Sequence, residues 1–222
     1  MSTPCAGCGE LPTITLFQRP PDHDPAGRPF TIVQCARCGV EQLDPTPTEA
    51  ELDEAYAAAY YTDRSPDSGP AGALRRMAWR AEMRPLKRFL RPGARVLELG
   101  CGTGTFLAEI QRRFGVDVAG LERTAVAAEQ ARARGIRVIE ATLGEAGIPA
   151  CSFDVVIMRH VLEHVPDPRG LLAAARRVLA DGGVLLVTLP VTGGWDHAAF
   201  GPSWGEYEIP EHLWLFPRDV LG

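Results

Sequence analysis

The segment that most constrains this chain is an apolar run that leads directly into a glycine-rich loop. Residues 96–105 read VLELGCGTGT, and residues 106–110 continue as FLAEI, which is typical of a helix. Glycine at every second loop position permits a tight strand-to-helix turn and lets a ligand lie against bare main chain. We therefore predict that a nucleotide-like cofactor binds this loop. The loop comprises Gly100, Cys101, Gly102 and Gly104.

An acidic residue two positions before the loop narrows the choice of ligand. A dinucleotide fingerprint has the spacing G-x-G-x-x-G and places a pyrophosphate at the helix N-terminus. Here the spacing is G-x-G-x-G, and Glu98 precedes it. A carboxylate at this position would repel a phosphate but suits a ligand with an ammonium or sulfonium charge. These residues resemble motif I of the class I S-adenosylmethionine (SAM)-dependent methyltransferases, and the resemblance implies SAM as the cofactor.

Strands and helices alternate through the second half of the chain. Further strands are predicted at 116–121, 136–140, 153–158 and 183–189, with helices at 125–134 and 169–179. This alternation predicts an α/β fold in which helices cover both faces of a parallel sheet. Right-handed crossovers give the five strands the Rossmann-like order 3-2-1-4-5.

Two further cofactor contacts are expected beyond the second and third strands. Glu122 ends the second strand, 22 residues after Gly100, where nucleotide-binding α/β folds place an acid that holds the ribose hydroxyls. A solvated glutamate at a strand end is the alternative. The resemblance implies an adenine contact in the stretch that contains Thr142 and Leu143. Many methyltransferases have an aspartate where this chain has Thr142, so the Thr142 hydroxyl and the Leu143 backbone are the expected contacts.

The segment after the fourth strand resembles the corresponding segment of SAM methyltransferases. Its first residues, Arg159 and His160, are expected to face the cofactor or the acceptor, because ligands bind beyond the carboxyl ends of parallel strands. His160, Glu163 and His164 also have a spacing that metal ligands use on a helix, although capping, packing or cofactor contact is the favoured interpretation. His160 and then His212 are the candidate general bases, since imidazole titrates near neutral pH. A structural role is the alternative for both histidines.

Four of the six cysteines form two C-x-x-C-G pairs near the N-terminus. The pairs are Cys5 with Cys8 and Cys35 with Cys38, with 26 residues between Cys8 and Cys35. Two such pairs can deliver four thiolates to one tetrahedral Zn²⁺, which would be structural because no open ligand position remains. Disulfides or free thiols are the alternatives, and a cytosolic setting disfavours disulfides.

The chain is predicted to contain a zinc ribbon at 1–47, a helical connector at 48–92 and a methyltransferase domain at 93–222. In the connector, helices at 48–60 and 73–90 would form a lid, with Tyr56, Tyr60 and Tyr61 as candidate lining residues. Nearly the whole chain resembles a subgroup of methyltransferases that carry an N-terminal zinc-binding segment. Compared with that fold, the domain stops after strand five, so a missing C-terminal segment or a partner would cover the edge of that strand. We favour the interpretation that the chain is a fragment.

Composition limits the remaining possibilities. The chain has 222 residues, 45 % of them hydrophobic, and a formal net charge of −5. These values argue against general nucleic-acid binding, and no apolar run is long enough to span a bilayer. The N-terminus lacks a signal-peptide pattern, so a cytoplasmic protein is predicted.

The resemblance implies methyl transfer from SAM to an oxygen, nitrogen or carbon atom of a small-molecule acceptor. One alternative is a non-catalytic SAM-binding module that uses the zinc ribbon as a contact surface. The other is a nucleotide-sugar or NAD-dependent enzyme.

Overall fold

The computed structural model describes residues 3–12, 14–22, 24, 27–48, 50–52, 55 and 69–221. The chain divides into two compact units, which we call the ribbon unit and the parallel-sheet unit. The ribbon unit comprises residues 1–63, 162–168 and 189–222, and the parallel-sheet unit comprises residues 64–161 and 169–188. Residues 189–222 therefore group with the N-terminal residues, whereas the predicted methyltransferase domain at 93–222 included them.

The strands in chain order are β1 (Ile14–Arg19), β2 (Phe30–Gln34), β3 (Glu41–Asp44), β4 (Arg95–Leu99), β5 (Asp117–Leu121), β6 (Arg137–Ile139), β7 (Phe153–Arg159), β8 (Leu179–Thr188), β9 (Val191–Thr192) and β10 (Trp214–Pro217). The α-helices are α1 (Gly69–Glu82), α2 (Thr105–Phe114), α3 (Ala125–Ala133), α4 (Pro168–Val178) and α5 (Trp195–Phe200). Short 3₁₀ helices lie at Arg84–Leu86, Leu162–His164, Gly201–Ser203, Gly205–Tyr207 and Arg218–Val220.

The parallel-sheet unit is built on five strands in the order β6-β5-β4-β7-β8, and every neighbouring pair is parallel. In chain order this is 3-2-1-4-5, so the predicted α/β class and the predicted strand order are confirmed. The strands β4 and β7 lie at the centre, and their apolar side chains are buried because helices cover the sheet. Because β4 and β7 are parallel, their carboxyl ends lie at the same edge of the sheet, where the glycine loop begins.

Helix α1 differs from its prediction at both ends. It begins at Gly69 and ends at Glu82, whereas the sequence pattern predicted a helix over 73–90. Pro85 explains the early end, because proline lacks an N–H and its ring clashes with the preceding turn. The chain continues through the 3₁₀ helix Arg84–Leu86 instead.

The other predicted connector helix starts with a capping box formed by Thr48 and Glu51. The Thr48 N–H donates to Glu51 Oε2 at 2.8 Å, and the Glu51 N–H donates to Thr48 Oγ1 at 3.3 Å. Residues 50–52 and 55 are helical. The remaining residues of the predicted helix, with Tyr56 and Tyr60, lie outside the described residues, and so does Tyr61 just after it.

The ribbon unit has its own sheet in the order β1-β2-β3-β10-β9. The pairs from β1 to β10 are antiparallel, and β10 pairs with β9 in parallel. Its core contains aromatic residues from the C-terminal part of the chain. Trp204 is 4 % exposed and Tyr207 is 2 % exposed, and both belong to one buried cluster with Phe30 and Ile32 of β2. Strand β10 pairs with β3 and so joins the sheet that the N-terminal hairpin begins, and β9 forms its other edge.

No helix in the described part of the chain combines the length and the apolar character that crossing a membrane requires.

Candidate functional site

The glycine loop at the carboxyl end of β4 has the backbone conformation that its sequence predicts. Gly100, Gly102 and Gly104 have φ values of +63°, +52° and +74°, in the left-handed region that favours glycine. A Cβ atom on Gly104 would lie 2.8 Å from the Cβ of Ala131 in α3, and one on Gly100 would lie 2.8 Å from Val161. A Cβ on Gly102 would meet no described atom within 4 Å. Gly102 therefore presents bare main chain to open space.

Glu98 lies in β4 just before this loop, and its side chain is buried, with 2 % of its surface exposed. Its Oε2 atom has no hydrogen-bond partner among the described residues. Burial, opposed by Arg159 and reinforced by Glu82 and Glu122, raises the pKa of Glu98 to about 8. A buried acceptor of this kind favours a cationic ligand, because a nearby positive charge stabilises the ionised carboxylate.

Arg159 ends β7 and connects three features of the site. Its Nε donates to Glu82 Oε2 of α1 at 2.8 Å, and its Nη1 lies 4.0 Å from Glu98 Oε1. The guanidinium carbon is 4.1 Å from the ring centre of Phe106 and 5.7 Å from that of Trp79. Arg159 therefore lies beside the predicted cofactor loop. Glu82 was not among the predicted site residues, because no local pattern links a residue of α1 to the end of β7.

Glu122 supports the loop directly. Its Oε2 accepts the N–H of Gly102 at 2.9 Å, and its Oε1 accepts the N–H of Thr124 at 2.8 Å. The side chain is 4 % exposed. The predicted acid is thus hydrogen-bonded to the loop, and its contact with ribose hydroxyls stays a prediction.

Cys101 is a packing residue in this geometry. Its side chain is buried against Gly120, where an added Cβ would lie 2.3 Å from the Cys101 Sγ. Burial, together with the charges of Glu98 and Glu122, raises the pKa of the Cys101 thiol to about 12. The thiol is therefore protonated at neutral pH and is a poor nucleophile.

The stretch predicted to contact adenine forms a turn of its own. The Thr142 hydroxyl donates to Glu145 Oε2 at 2.7 Å, and the Thr142 N–H donates to the same atom at 3.0 Å. The side chain of Leu143 is buried. The hydroxyl is therefore hydrogen-bonded to Glu145, which was not among the predicted site residues, and the adenine role of Thr142 and Leu143 stays a prediction.

The two candidate bases belong to different units. His160 is in the parallel-sheet unit, is exposed, and has φ of +51°, while its N–H donates to the Thr188 carbonyl at 2.8 Å. His212 is in the ribbon unit and is 3 % exposed. Its Nδ1 donates to the Glu206 carbonyl at 2.6 Å, and its Nε2 lies 3.4 Å from Glu208 Oε2. Both ring nitrogens of His212 therefore have partners within its own unit.

The ribbon unit brings together the four cysteines of the predicted zinc site. The Sγ atoms of Cys5 and Cys38 are 3.4 Å apart, as are those of Cys8 and Cys35, and all four lie within 4.8 Å of one another. The two C-x-x-C-G turns share a backbone pattern. The Gly9 N–H donates to the Cys5 carbonyl and the Gly39 N–H donates to the Cys35 carbonyl, each at 2.8 Å. Burial opposes ionisation of Cys35, but the N–H groups of Cys38 and Arg37 and the neighbouring thiols lower its pKa to about 7.

Comparison with known proteins identifies a family. The family model described as "Methyltransferase domain" matches residues 73–222. A ubiquinone biosynthesis O-methyltransferase of Escherichia coli is 38 % identical over 144 residues, which cover 59 % of this chain and 60 % of the relative. One from Hahella chejuensis is 40 % identical over 100 residues, which cover 41 % of each chain. The chain therefore spans about half the length of these curated relatives.

Solved structures show the same fold. A SAM-dependent methyltransferase from Thermotoga maritima, described as a possible histamine N-methyltransferase, aligns with a TM-score of 0.56 and 25 % identity. The alignment covers 77 % of this chain and 75 % of that chain. A SAM-dependent methyltransferase from Archaeoglobus fulgidus aligns with a TM-score of 0.54 and 21 % identity over 66 % of this chain and 65 % of that chain, and it is similar in fold alone.

Proposed function

Because this chain belongs to the methyltransferase-domain family, we propose that it transfers the methyl group of SAM to a small-molecule acceptor. The names of the relatives support a small acceptor, since both are O-methyltransferases of ubiquinone biosynthesis. The proposal extends to oxygen, nitrogen or carbon as the methylated atom.

One observation carries the proposal more than any other, namely the buried carboxylate of Glu98 beside the open main chain of Gly102. An acceptor atom with no hydrogen-bond donor among the described residues costs free energy when it is buried. A ligand ammonium at Glu98 Oε2 would remove that cost. The methionyl part of SAM carries such a group, and the sulfonium adds a second positive charge.

The residues of this chain would act mainly by alignment. The glycine loop would hold the cofactor against its main chain, and Glu122 would keep the loop in place through the Gly102 N–H. SAM supplies a methyl group on a sulfonium, which is already a good leaving group, so positioning and exclusion of water are the main requirements.

A hydroxyl or carbon acceptor would also have to lose a proton. His160 is the preferred base, because its side chain is exposed at the carboxyl edge of the parallel sheet. His212 is the second candidate, and its existing partners make a structural role the stronger alternative.

We also propose a structural Zn²⁺ at Cys5, Cys8, Cys35 and Cys38. Four sulfur atoms this close together suit a tetrahedral ion with soft ligands, and thiolates at this spacing repel one another unless a cation separates them. The zinc would supply folding energy to the N-terminal hairpin.

Calorimetry tests the cofactor assignment. Titration with S-adenosylhomocysteine, the demethylated product, is expected to give saturable binding, and titration with NAD is expected to give none. Binding of NAD without S-adenosylhomocysteine would refute the proposal in favour of a nicotinamide enzyme.

Catalysis needs a second experiment. Incubation with isotopically labelled SAM and a panel of phenolic, amine and sugar acceptors, followed by mass spectrometry, is expected to show a labelled methyl group on one class of acceptor. Binding of S-adenosylhomocysteine with no transfer to any acceptor or to water would favour a SAM-binding module without catalysis.

A further inference from the structure

Three side chains with metal-binding chemistry meet within the ribbon unit, apart from the four cysteines. Glu163 and His164 lie in the 3₁₀ helix Leu162–His164, and His212 lies just before β10. Their candidate ligand atoms are all within 4.8 Å of one another. Glu163 and His212 are buried and His164 is half-buried. The cluster therefore combines a carboxylate with two imidazoles in a largely dry environment.

Hydrogen bonds hold the two contributing segments against each other. The Leu213 N–H donates to the Glu163 carbonyl at 2.8 Å, and the Trp214 Nε1 donates to the Val165 carbonyl at 2.8 Å. The His212 N–H also donates to the Glu208 carbonyl at 2.9 Å. These contacts flank the cluster on both sides, so its side chains start from backbone positions that are already restrained.

Both imidazoles are oriented in the same way. The Nδ1 of His164 is 3.0 Å from the Glu211 carbonyl oxygen, and the Nδ1 of His212 is 2.6 Å from the Glu206 carbonyl oxygen. A carbonyl oxygen only accepts, so each Nδ1 carries a proton, and Nε2 is the ring nitrogen that could ligate a metal. Histidines that ligate metals characteristically donate their other ring N–H to a carbonyl or a carboxylate in this way.

We propose that Glu163, His164 and His212 form a second Zn²⁺ site, separate from the cysteine cluster. Two imidazole nitrogens and one carboxylate oxygen are a common protein donor set for zinc. Glu208 Oε2 lies 3.4 Å from the Nε2 of His212, so this carboxylate is within reach as a fourth ligand. The ion would connect the segment 162–168 to the segment before β10.

Of the three residues with metal-ligand spacing in the sequence, only Glu163 and His164 belong to the cluster. His160 belongs to the parallel-sheet unit, whereas Glu163 and His164 belong to the ribbon unit, where His212 approaches them from 48 positions further along the chain than His164. A metal on the His212 Nε2 would occupy the lone pair that a base requires. The assignment therefore leaves His160 as the remaining candidate base.

The proposal is tested by zinc content in the full chain. After zinc loading and removal of unbound metal, elemental analysis of the wild type is expected to find one equivalent at the cysteines and one at this site. His164→Gln and His212→Gln are each expected to lose one equivalent. His197→Gln serves as the matched control, because His197 is a half-buried histidine of the same unit that lies outside the cluster, and it is expected to lose none.

Either of two results would contradict the proposed second zinc site. One is a wild type that binds no zinc beyond the cysteine equivalent, which would leave a cluster held by hydrogen bonds and packing only. The other is a double variant, His164→Gln with His212→Gln, that keeps the wild-type zinc content.

A cobalt titration of the wild type tests the site without any substitution, so its result does not depend on whether the variants fold. With the cysteine site filled by zinc, added Co²⁺ is expected to give visible absorption without a thiolate charge-transfer band. No such absorption at saturating Co²⁺ would contradict the proposal.

Discussion

At the scale of single residues, the main feature of the candidate site is the buried carboxyl group of Glu98 just before the glycine loop. Burial alone disfavours an ionised carboxylate, and Arg159 at 4.0 Å only partly offsets this. The raised pKa means that Glu98 holds a proton through most of the neutral range. A cationic ligand would compete with that proton.

This competition gives a pH dependence with a defined sign. Only ionised Glu98 attracts an ammonium, so the affinity for S-adenosylhomocysteine should rise by roughly tenfold per pH unit up to about pH 8 and then level off. Glu98→Gln is expected to weaken binding and to remove this slope. Calorimetry over the pH range measures both effects, with the exposed Glu129→Gln as control; a slope that survives in Glu98→Gln would assign it to another group.

The same group affects stability in the opposite sense. Its folded pKa of about 8 exceeds the ordinary value of 4.5, so the folded state binds more protons than the unfolded state between these values. The free energy of unfolding should therefore fall as pH rises through this window. Denaturant titrations are expected to show a smaller fall for Glu98→Gln, and an identical fall in the two proteins would contradict the burial argument.

Two glycines of the loop should respond differently to alanine. Gly104→Ala combines a left-handed φ with a contact of 2.8 Å to Ala131, so a loss of about 2–3 kcal/mol in the free energy of unfolding is expected. Gly102→Ala meets open space and should cost about 1 kcal/mol, yet it should impair S-adenosylhomocysteine binding. Urea unfolding and calorimetry separate the effects. Normal binding by Gly102→Ala would argue against contact between the cofactor and this main chain.

At the scale of elements, a buried ring holds α1 against α2, and an ion pair holds it at the end of β7. Trp79 is 7 % exposed and stacks edge-on against Phe106, with ring centres 5.5 Å apart. Glu82, the last residue of the same helix, forms an ion pair with Arg159. The helix that leads into β4 is thus held beside the glycine loop by packing more than by helix propensity.

Truncation of this ring should therefore be costly. Trp79→Ala is expected to lower the free energy of unfolding by about 3–5 kcal/mol, because it removes a large buried side chain and leaves a cavity. Leu74→Ala on the same helix should change it by no more than about 0.5 kcal/mol, since Leu74 is 69 % exposed. Equal effects of the two substitutions on urea unfolding would show that α1 does not dock through Trp79.

At the scale of the whole molecule, two sheets with different sources of stability share one chain. The parallel sheet rests on a large apolar cluster, whereas the ribbon unit has a small core that includes Phe30, Trp204 and Tyr207. Small cores of this kind commonly depend on a metal. The ribbon unit should therefore respond selectively when metal is removed.

Chelation is expected to expose this difference. After zinc is removed, amide protons of β2 and β3 should exchange faster, while those of β4 and β7 should stay protected. Hydrogen exchange followed by mass spectrometry measures each strand, and restored protection after zinc is added back is the control. Unchanged exchange in β2 and β3 would contradict a structural role for the metal.

The sequence by itself determined the features that depend on local pattern. Alternating strands and helices specified the parallel sheet and its order, and the glycine spacing after an apolar strand specified the loop that Gly100, Gly102 and Gly104 form. Each C-x-x-C-G pair also specified a local turn that brings its own two thiols close together. Such features can be predicted from the sequence because their physical cause lies within a few residues.

Only the tertiary structure decided which distant residues meet. No sequence pattern linked the C-terminal aromatic residues to the N-terminal hairpin, yet β10 pairs with β3, and Trp204 and Tyr207 enter the core of that unit. In the same way, His164 meets His212, and Arg159 meets Glu82 across 77 positions of the chain. These pairs depend on which surfaces bury each other, and burial is a property of the folded chain that no short pattern records.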